Sequence, residues 1–184
     1  MTNMYKTALS ELEGVFDRLN DAEVDKAVQL IADAKTTVVF GGGRERLQIM
    51  GFAMRLYHLG LSVAVEGDMT TPPVGAGDLF IVTVGPGEIS TALALLGVAK
   101  AAGATIMVIT AQPQGRAAGY ADFVLTLPAQ TMADDQGEQK TSVLPMGSLY
   151  EGALFVLFEI MILKLQKLLD IDPEAMRANH TNLE

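Results

Sequence analysis

The chain has 184 residues, enough for one domain with a real core, and its formal net charge of −9 argues against nucleic acid as a partner. It has no cysteine and two histidines, so disulfides and thiolate metal sites are excluded and a histidine-rich metal centre is not expected. No apolar run reaches the ~18 residues that a membrane span needs, and the first residues lack a basic segment followed by an apolar core. The expectation is a cytoplasmic protein with no membrane partner and no metal.

Residues 2–19 place Leu9, Leu12, Val15, Phe16 and Leu19 at helical spacing. Asn20 followed by Glu23 resembles a capping box that opens a second helix over 21–34, with Val24, Ala27, Val28 and Ile31 as its stripe. The β-branched run Thr36 to Phe40 predicts a buried parallel strand. Gly41-Gly42-Gly43 ends it, and a helix over 44–58 follows with Gly60 as its stop. A short strand at 62–65, a rigid Thr70–Pro73 loop and a third strand at 79–84 come next. The pattern continues with a helix over 90–102, strands at 105–110 and 123–127, and a short helix between them. Residues 128–146 are polar and aperiodic, a length of loop that is often functional or mobile. Ser148 opens a long helix to about residue 169, and Asp172-Pro173 caps a last short one.

Strands alternating with helices predict right-handed βαβ units and a doubly wound parallel α/β sheet. Such sheets hold their ligand at the carboxyl ends of the strands, where two glycine-rich exits fall, at 41–43 and 85–87. The stretch Thr83 to Thr91 reads as strand, glycine turn and helix, which brings an anion or a sugar up to backbone N–H groups. At the first exit the dinucleotide fingerprint fails, because Arg46 stands where the third glycine would, and no Walker lysine follows. That exit is either a tight turn or a backbone cradle flanked by Arg44 and Arg46. Ser148-x-x-Glu151 fits a capping box, and equally places a carboxylate in the first turn of a helix as a general base. His58 near a helix end reads as structural, and His180 in a polar tail as solvent-exposed. Residues 153–163 have no clean polar face, which predicts burial against the core and against a second subunit.

At these residues the chain resembles the sugar isomerase (SIS) domain family, most closely its 6-phospho-3-hexuloisomerase branch. The resemblance rests on motifs in order: Gly41-x-Gly43-Arg44, Phe52-Ala53-Met54-Arg55-Leu56-x-His58-Leu59-Gly60, Thr71-Pro72, the strand and loop at 79–91, Leu144-Pro145-Met146-Gly147-Ser148-x-x-Glu151, and His180-x-Asn182-Leu183. It implies one SIS domain over 1–184, with N-terminal helices at 2–34, a sheet core at 36–127 and C-terminal helices at 148–184. The implied fold is a three-layer α/β/α arrangement of five parallel strands with flavodoxin-like topology. The implied activity is interconversion of a 3-ketose and a 2-ketose phosphate, a ketose/aldose-type shift through a cis-enediol without a cofactor, in homodimers or homotetramers with sites at subunit interfaces. Glu151 falls on the family's catalytic glutamate. His180 falls on its C-terminal histidine, which assists ring opening or relays a proton, in its own or a neighbour's site. Gly43, Arg44, Arg46, Gly85, Gly87, Glu88, Ser90 and Thr91 fall at substrate-binding positions.

The family's phosphate loop, Ser-Gly-Ser-Gly-(Glu/Arg)-Thr, is here Val84-Gly85-Pro86-Gly87-Glu88-Ile89, and Glu45 replaces the serine of the first loop. Each lost hydrogen bond to a charged group is worth roughly 1.5–3 kcal/mol. The resulting expectation is an isomerase of a phosphosugar or other anionic sugar, with Glu151 as base and His180 as assisting acid or base. The alternatives are an isomerase of a neutral or sulfonated sugar, and a non-catalytic, regulatory sugar-binding SIS domain.

Overall fold

The computed structural model describes residues 3–183. Helices α1 (Met4–Arg18) and α2 (Asp21–Asp33) precede β1 (Thr37–Gly41), α3 (Gly43–His58), β2 (Val63–Val65), β3 (Leu79–Thr83), α4 (Ser90–Ala102), β4 (Thr105–Thr110) and β5 (Phe123–Thr126). The chain closes with α5 (Ser148–Leu168) and α6 (Pro173–Ala178). The five strands pair in parallel, in the order β2-β1-β3-β4-β5. Strand order reverses between β1 and β3, so the crevice that such a sheet offers a ligand opens above Gly41 and Thr83, which pair in register.

Strand alternation divides the core. Val39, Ile81, Met107 and Ile109 face one side, with α2, α3 and α5 over them. Val38, Phe80, Val82 and Val108 face the other, under α4. Helix α5 is the central helix of the first layer, and Phe158 stacks on Phe52 of α3 with ring centroids 4.4 Å apart.

The local signals act largely as expected. Asn20 accepts from the Ala22 N–H, although Glu23 bonds the Asn20 side chain rather than its backbone. Asp172 accepts from the Glu174 N–H ahead of Pro173 at the first helical position. At the end of α3, Gly60 takes φ +82°, its N–H donates to the Tyr57 carbonyl and that of Leu61 to Leu56, a Schellman closure. One cap is absent. Ser148 is the first residue of α5 and Gly147, at φ +76°, is its cap, with no side-chain capping bond. Ser148 and Glu151 instead turn toward Arg44.

The long loop is not a solvated excursion. Gln130, Thr131, Asp135 and Ser142 are buried. Glu11 of α1 accepts from the Ser142 hydroxyl and the Val143 N–H, and Gln130 accepts from the Ser142 N–H. These bonds press residues 131 and 132 against the crevice.

Candidate active site

Above the β1/β3 switch point lies a cleft of about 340 Å³. Gly42, Gly43, Arg44 and Glu45 enclose it from the start of α3, Pro86 and Ile89 from the second glycine exit, Thr131 and Met132 from the long loop, and Met146, Gly147, Tyr150 and Glu151 from the start of α5.

Glu151 sits in the first turn of α5, its side chain 15% exposed, with Oε1 3.2 Å from Arg44 Nε. Desolvation raises its carboxyl above the ordinary value, and the Arg44 guanidinium pulls it partly back. Arg44 also donates to the Ser148 hydroxyl at 3.0 Å and to the Met146 carbonyl. Met146 is held at φ +54°, an unusual conformation for a residue with a side chain. The clamp on Arg44 thus joins the α3 and α5 ends and fixes the direction of the Glu151 carboxylate.

Beneath it, Glu45 is buried in the first turn of α3, where a carboxylate suits the helix dipole. Its two oxygens lie 3.0 and 3.1 Å from the Gly85 nitrogen, and the Thr83 hydroxyl donates to Oε2 at 2.7 Å. Tyr150, fully buried, donates to the Ile109 carbonyl at 3.0 Å and lies 3.2 Å from Thr83 Oγ1. Burial raises the Glu45 carboxyl, the bonds from Thr83 and Gly85 oppose this, and the Glu151 charge adds to it. Burial, then the Glu45 charge, push the Tyr150 phenol well above its ordinary value.

The expected site residues therefore divide. Gly43, Arg44 and Glu151 line the cleft, and Gly85 meets it through Glu45 and Tyr150. Arg46 turns toward β2, donating to the Glu66 carbonyl at 2.8 Å. Glu88 pairs with Arg116 at 2.6 Å on the surface, and Gly87 packs against Gln112 and Gly115. Ser90 and Thr91 are exposed at the start of α4, outside the cleft. His180 is exposed, as its position in a polar tail predicts, and its ring lies 5.0 Å from that of His58, at the far end of α3 from Arg44. Fifteen helical steps separate His58 from Gly43, about 22 Å, so one chain does not bring His180 to Glu151. Sequence reasoning gave no role to Glu45, Thr83, Tyr150 or Met132; Thr83 stood only as the start of the glycine-turn stretch, and Glu45 as a charge where the family has a serine.

The SIS domain profile matches residues 30–151. The 3-hexulose-6-phosphate isomerase of Methylomonas aminofaciens is 36% identical over 184 residues, covering the whole of both chains. That of Bacillus subtilis is 32% identical over 176 residues, 96% of this chain and 95% of its own. A crystal structure of a Methanococcus jannaschii protein, from which a 3-hexulose-6-phosphate isomerase function was inferred, superposes with a TM-score of 0.84 at 26% identity, covering 98% of each chain. With the five-stranded parallel sheet and the cleft at its switch point, these matches establish that the chain belongs to the SIS domain family.

Proposed function

We propose that this chain is a sugar isomerase of the kind its hexulose-phosphate relatives are named for, moving a carbonyl between adjacent carbons through a cis-enediol with Glu151 as the base. The observation that carries this is the Glu151 carboxylate, largely buried, aimed into the switch-point cleft and held by Arg44. Ionised Glu151 takes the proton from the carbon beside the carbonyl and returns it to the neighbouring carbon. The hydroxyl proton passes between the two oxygens, so the reaction is balanced without a second reactant. Arg44 fixes the carboxylate geometry and offers positive charge to the enediolate as it forms.

The relatives' names give a phosphorylated hexulose as their substrate. The proton transfer comes to this chain on Glu151 and Arg44. The head group is held by another part of the cleft and is a separate matter. The reading includes a second copy of the chain. His180, far from Glu151 within one chain, assists the reaction only from a neighbour.

Exchange of the carbon-bound proton in deuterium oxide, over a panel of ketoses and aldoses, is the direct test. Glu151→Gln is expected to lower exchange by about 10²–10⁴-fold while ligand affinity is kept. Exchange that survives Glu151→Gln undiminished would remove Glu151 as the base. Binding without exchange in the unmodified protein would favour a regulatory sugar-binding domain.

A further inference from the structure

We propose that Glu45 is the second acid–base group of the cleft and carries the hydroxyl proton between the two substrate oxygens while Glu151 carries the carbon-bound one. This rests on the isomerase reading above, which leaves the carrier of the hydroxyl proton unassigned.

Glu45 and Glu151 stand in the first turns of α3 and α5, and both line the cleft. Glu45 Oε2 takes the Thr83 hydroxyl and a share of the Gly85 N–H, and Oε1 takes the other share of that N–H. A carboxylate has about four lone-pair sites over its two oxygens, so Oε1 keeps a place for a substrate oxygen. The bonds around Glu45 suit either protonation state. The Thr83 hydroxyl donates to the ionised carboxylate. Toward a carboxyl protonated at Oε2 it accepts instead, and turns its own proton to the Tyr150 oxygen, 3.2 Å away. Tyr150 donates to the Ile109 carbonyl in both cases.

The surroundings divide the two carboxyls. Arg44 pairs with Glu151 at 3.2 Å and favours its charged form. Among the described residues no ion pair reaches Glu45, and Arg46, its neighbour on α3, is turned to Glu66. From β3 Glu45 faces the Thr83 hydroxyl, and from α5 the Tyr150 phenol and the Glu151 carboxylate. Burial raises its carboxyl against the bonds from Thr83 and Gly85, and the Glu151 charge raises it further. Two carboxyls of one site whose surroundings push them apart take opposite roles, one ionised as base and one protonated as acid.

The protons balance. Glu45 gives its proton to the carbonyl oxygen as ionised Glu151 takes the proton from the adjacent carbon, which leaves a neutral enediol. Glu45 then takes the proton of the other enediol hydroxyl, as Glu151 gives its proton to the former carbonyl carbon. The C=O bond has moved by one carbon, and both carboxyls are as they began.

The test uses the unmodified full chain with ketohexose 6-phosphates and their neutral counterparts, followed by proton exchange in deuterium oxide and by net isomerisation. The expected kcat profile is a bell, rising as Glu151 ionises and falling at higher pH as Glu45 does. Glu45→Gln keeps an acceptor for Gly85 and has no acidic proton to give. It is expected to lower kcat at least about 100-fold with KM little changed, and to lose the high-pH fall. A variant that keeps that fall, or whose loss lies in KM alone, overturns the role of Glu45 and leaves the isomerase reading standing. Exchange with no sugar in the unmodified chain removes the isomerase reading, and the role of Glu45 with it. Where Glu45→Gln does not fold, NMR titration of carbon-13-labelled glutamates in the unmodified chain decides. Glu45 is expected to release its proton at higher pH than Glu151, and the reverse order overturns its role as the acid.

Discussion

Gly85 shows how tightly the base of the cleft is built. A Cβ there would lie 2.9 Å from two ring carbons of Tyr150 and 3.1 Å from Glu45 Oε1. Neither can retreat, since Tyr150 is fully buried and Glu45 is bonded to the same residue. Gly85→Ala is therefore expected to lower stability by about 1–3 kcal/mol, read from the urea midpoint. The two raised carboxyls give a pH dependence of definite sign. Glu45 and Glu151 both titrate above their ordinary 4.5 in the folded chain, so the folded state binds protons more tightly than the unfolded one. The stability they favour is full below about pH 4.5 and is lost as pH rises through the raised folded values. Glu45→Gln should flatten that fall in unfolding free energy, and a profile as steep as that of the unmodified protein would show that Glu45 does not cause it. For the reaction the sign is reversed, because a base must be ionised, so kcat/KM should rise with pH through a value above 4.5. At this scale Glu151 and Arg44 were legible, since a carboxylate near a helix start and an arginine after a glycine turn are local patterns. Glu45 was visible only as a missing serine. Its partner Gly85 is 40 residues away, and no local pattern encodes that bond.

The helices and strands were legible almost to their ends, because apolar spacing and the stop signals at Gly60, Gly103 and Asp172-Pro173 are local chemistry. The start of α5 was misread for an instructive reason. Ser148-x-x-Glu151 has the spacing of a capping box, but Arg44, brought from 104 residues away, competes for both side chains. A charged partner outweighs a local bond, and the left-handed Gly147 takes over the cap. The polar loop at 128–146 read as functional or mobile, and its Thr131 and Met132 do line the cleft, but nothing near it in sequence announces that Glu11 of α1 would pin it. The Phe52–Phe158 stack packs α3 against α5, the two helices whose starts carry Arg44 and Glu151. Phe158→Ala is expected to cost about 3–5 kcal/mol in chemical denaturation. Weaker exchange activity per folded molecule should accompany it, because the clamp loses its spacing. Full stability in that variant would mean that the layer does not depend on the stack.

At the scale of the molecule, alternating elements predict a parallel doubly wound sheet and a cleft at the carboxyl ends of its strands, where the cleft lies, whereas the strand order came with the SIS resemblance. A homo-oligomer is proposed from the surface. Leu47, Met50, Met54 and Tyr57 are 40–66% exposed and recur at three- and four-residue spacing along α3, and Phe155 of α5 is 59% exposed beside them. The row begins one turn beyond Gly43 and Arg44, so a second copy seated on it would border the cleft. A contiguous apolar face of this kind on a chain carrying −9 is poorly explained by solubility. It fits the second copy that a role for His180 requires. Met54→Glu with Phe155→Glu should then convert a dimer or larger species to monomer in sedimentation velocity without loss of helical signal. A wild-type monomer would refute the assembly. The shared site has a sharper test in two inactive variants, Glu151→Gln and His180→Ala. If each site takes Glu151 from one copy and His180 from another, remixing them at equal amounts leaves one intact site in every mixed dimer. Random exchange makes half the dimers mixed, so activity should recover to about a quarter of the unmodified level. Full activity of His180→Ala alone would show that His180 has no part in the reaction, and no recovery after verified exchange of two inactive variants would overturn the shared site.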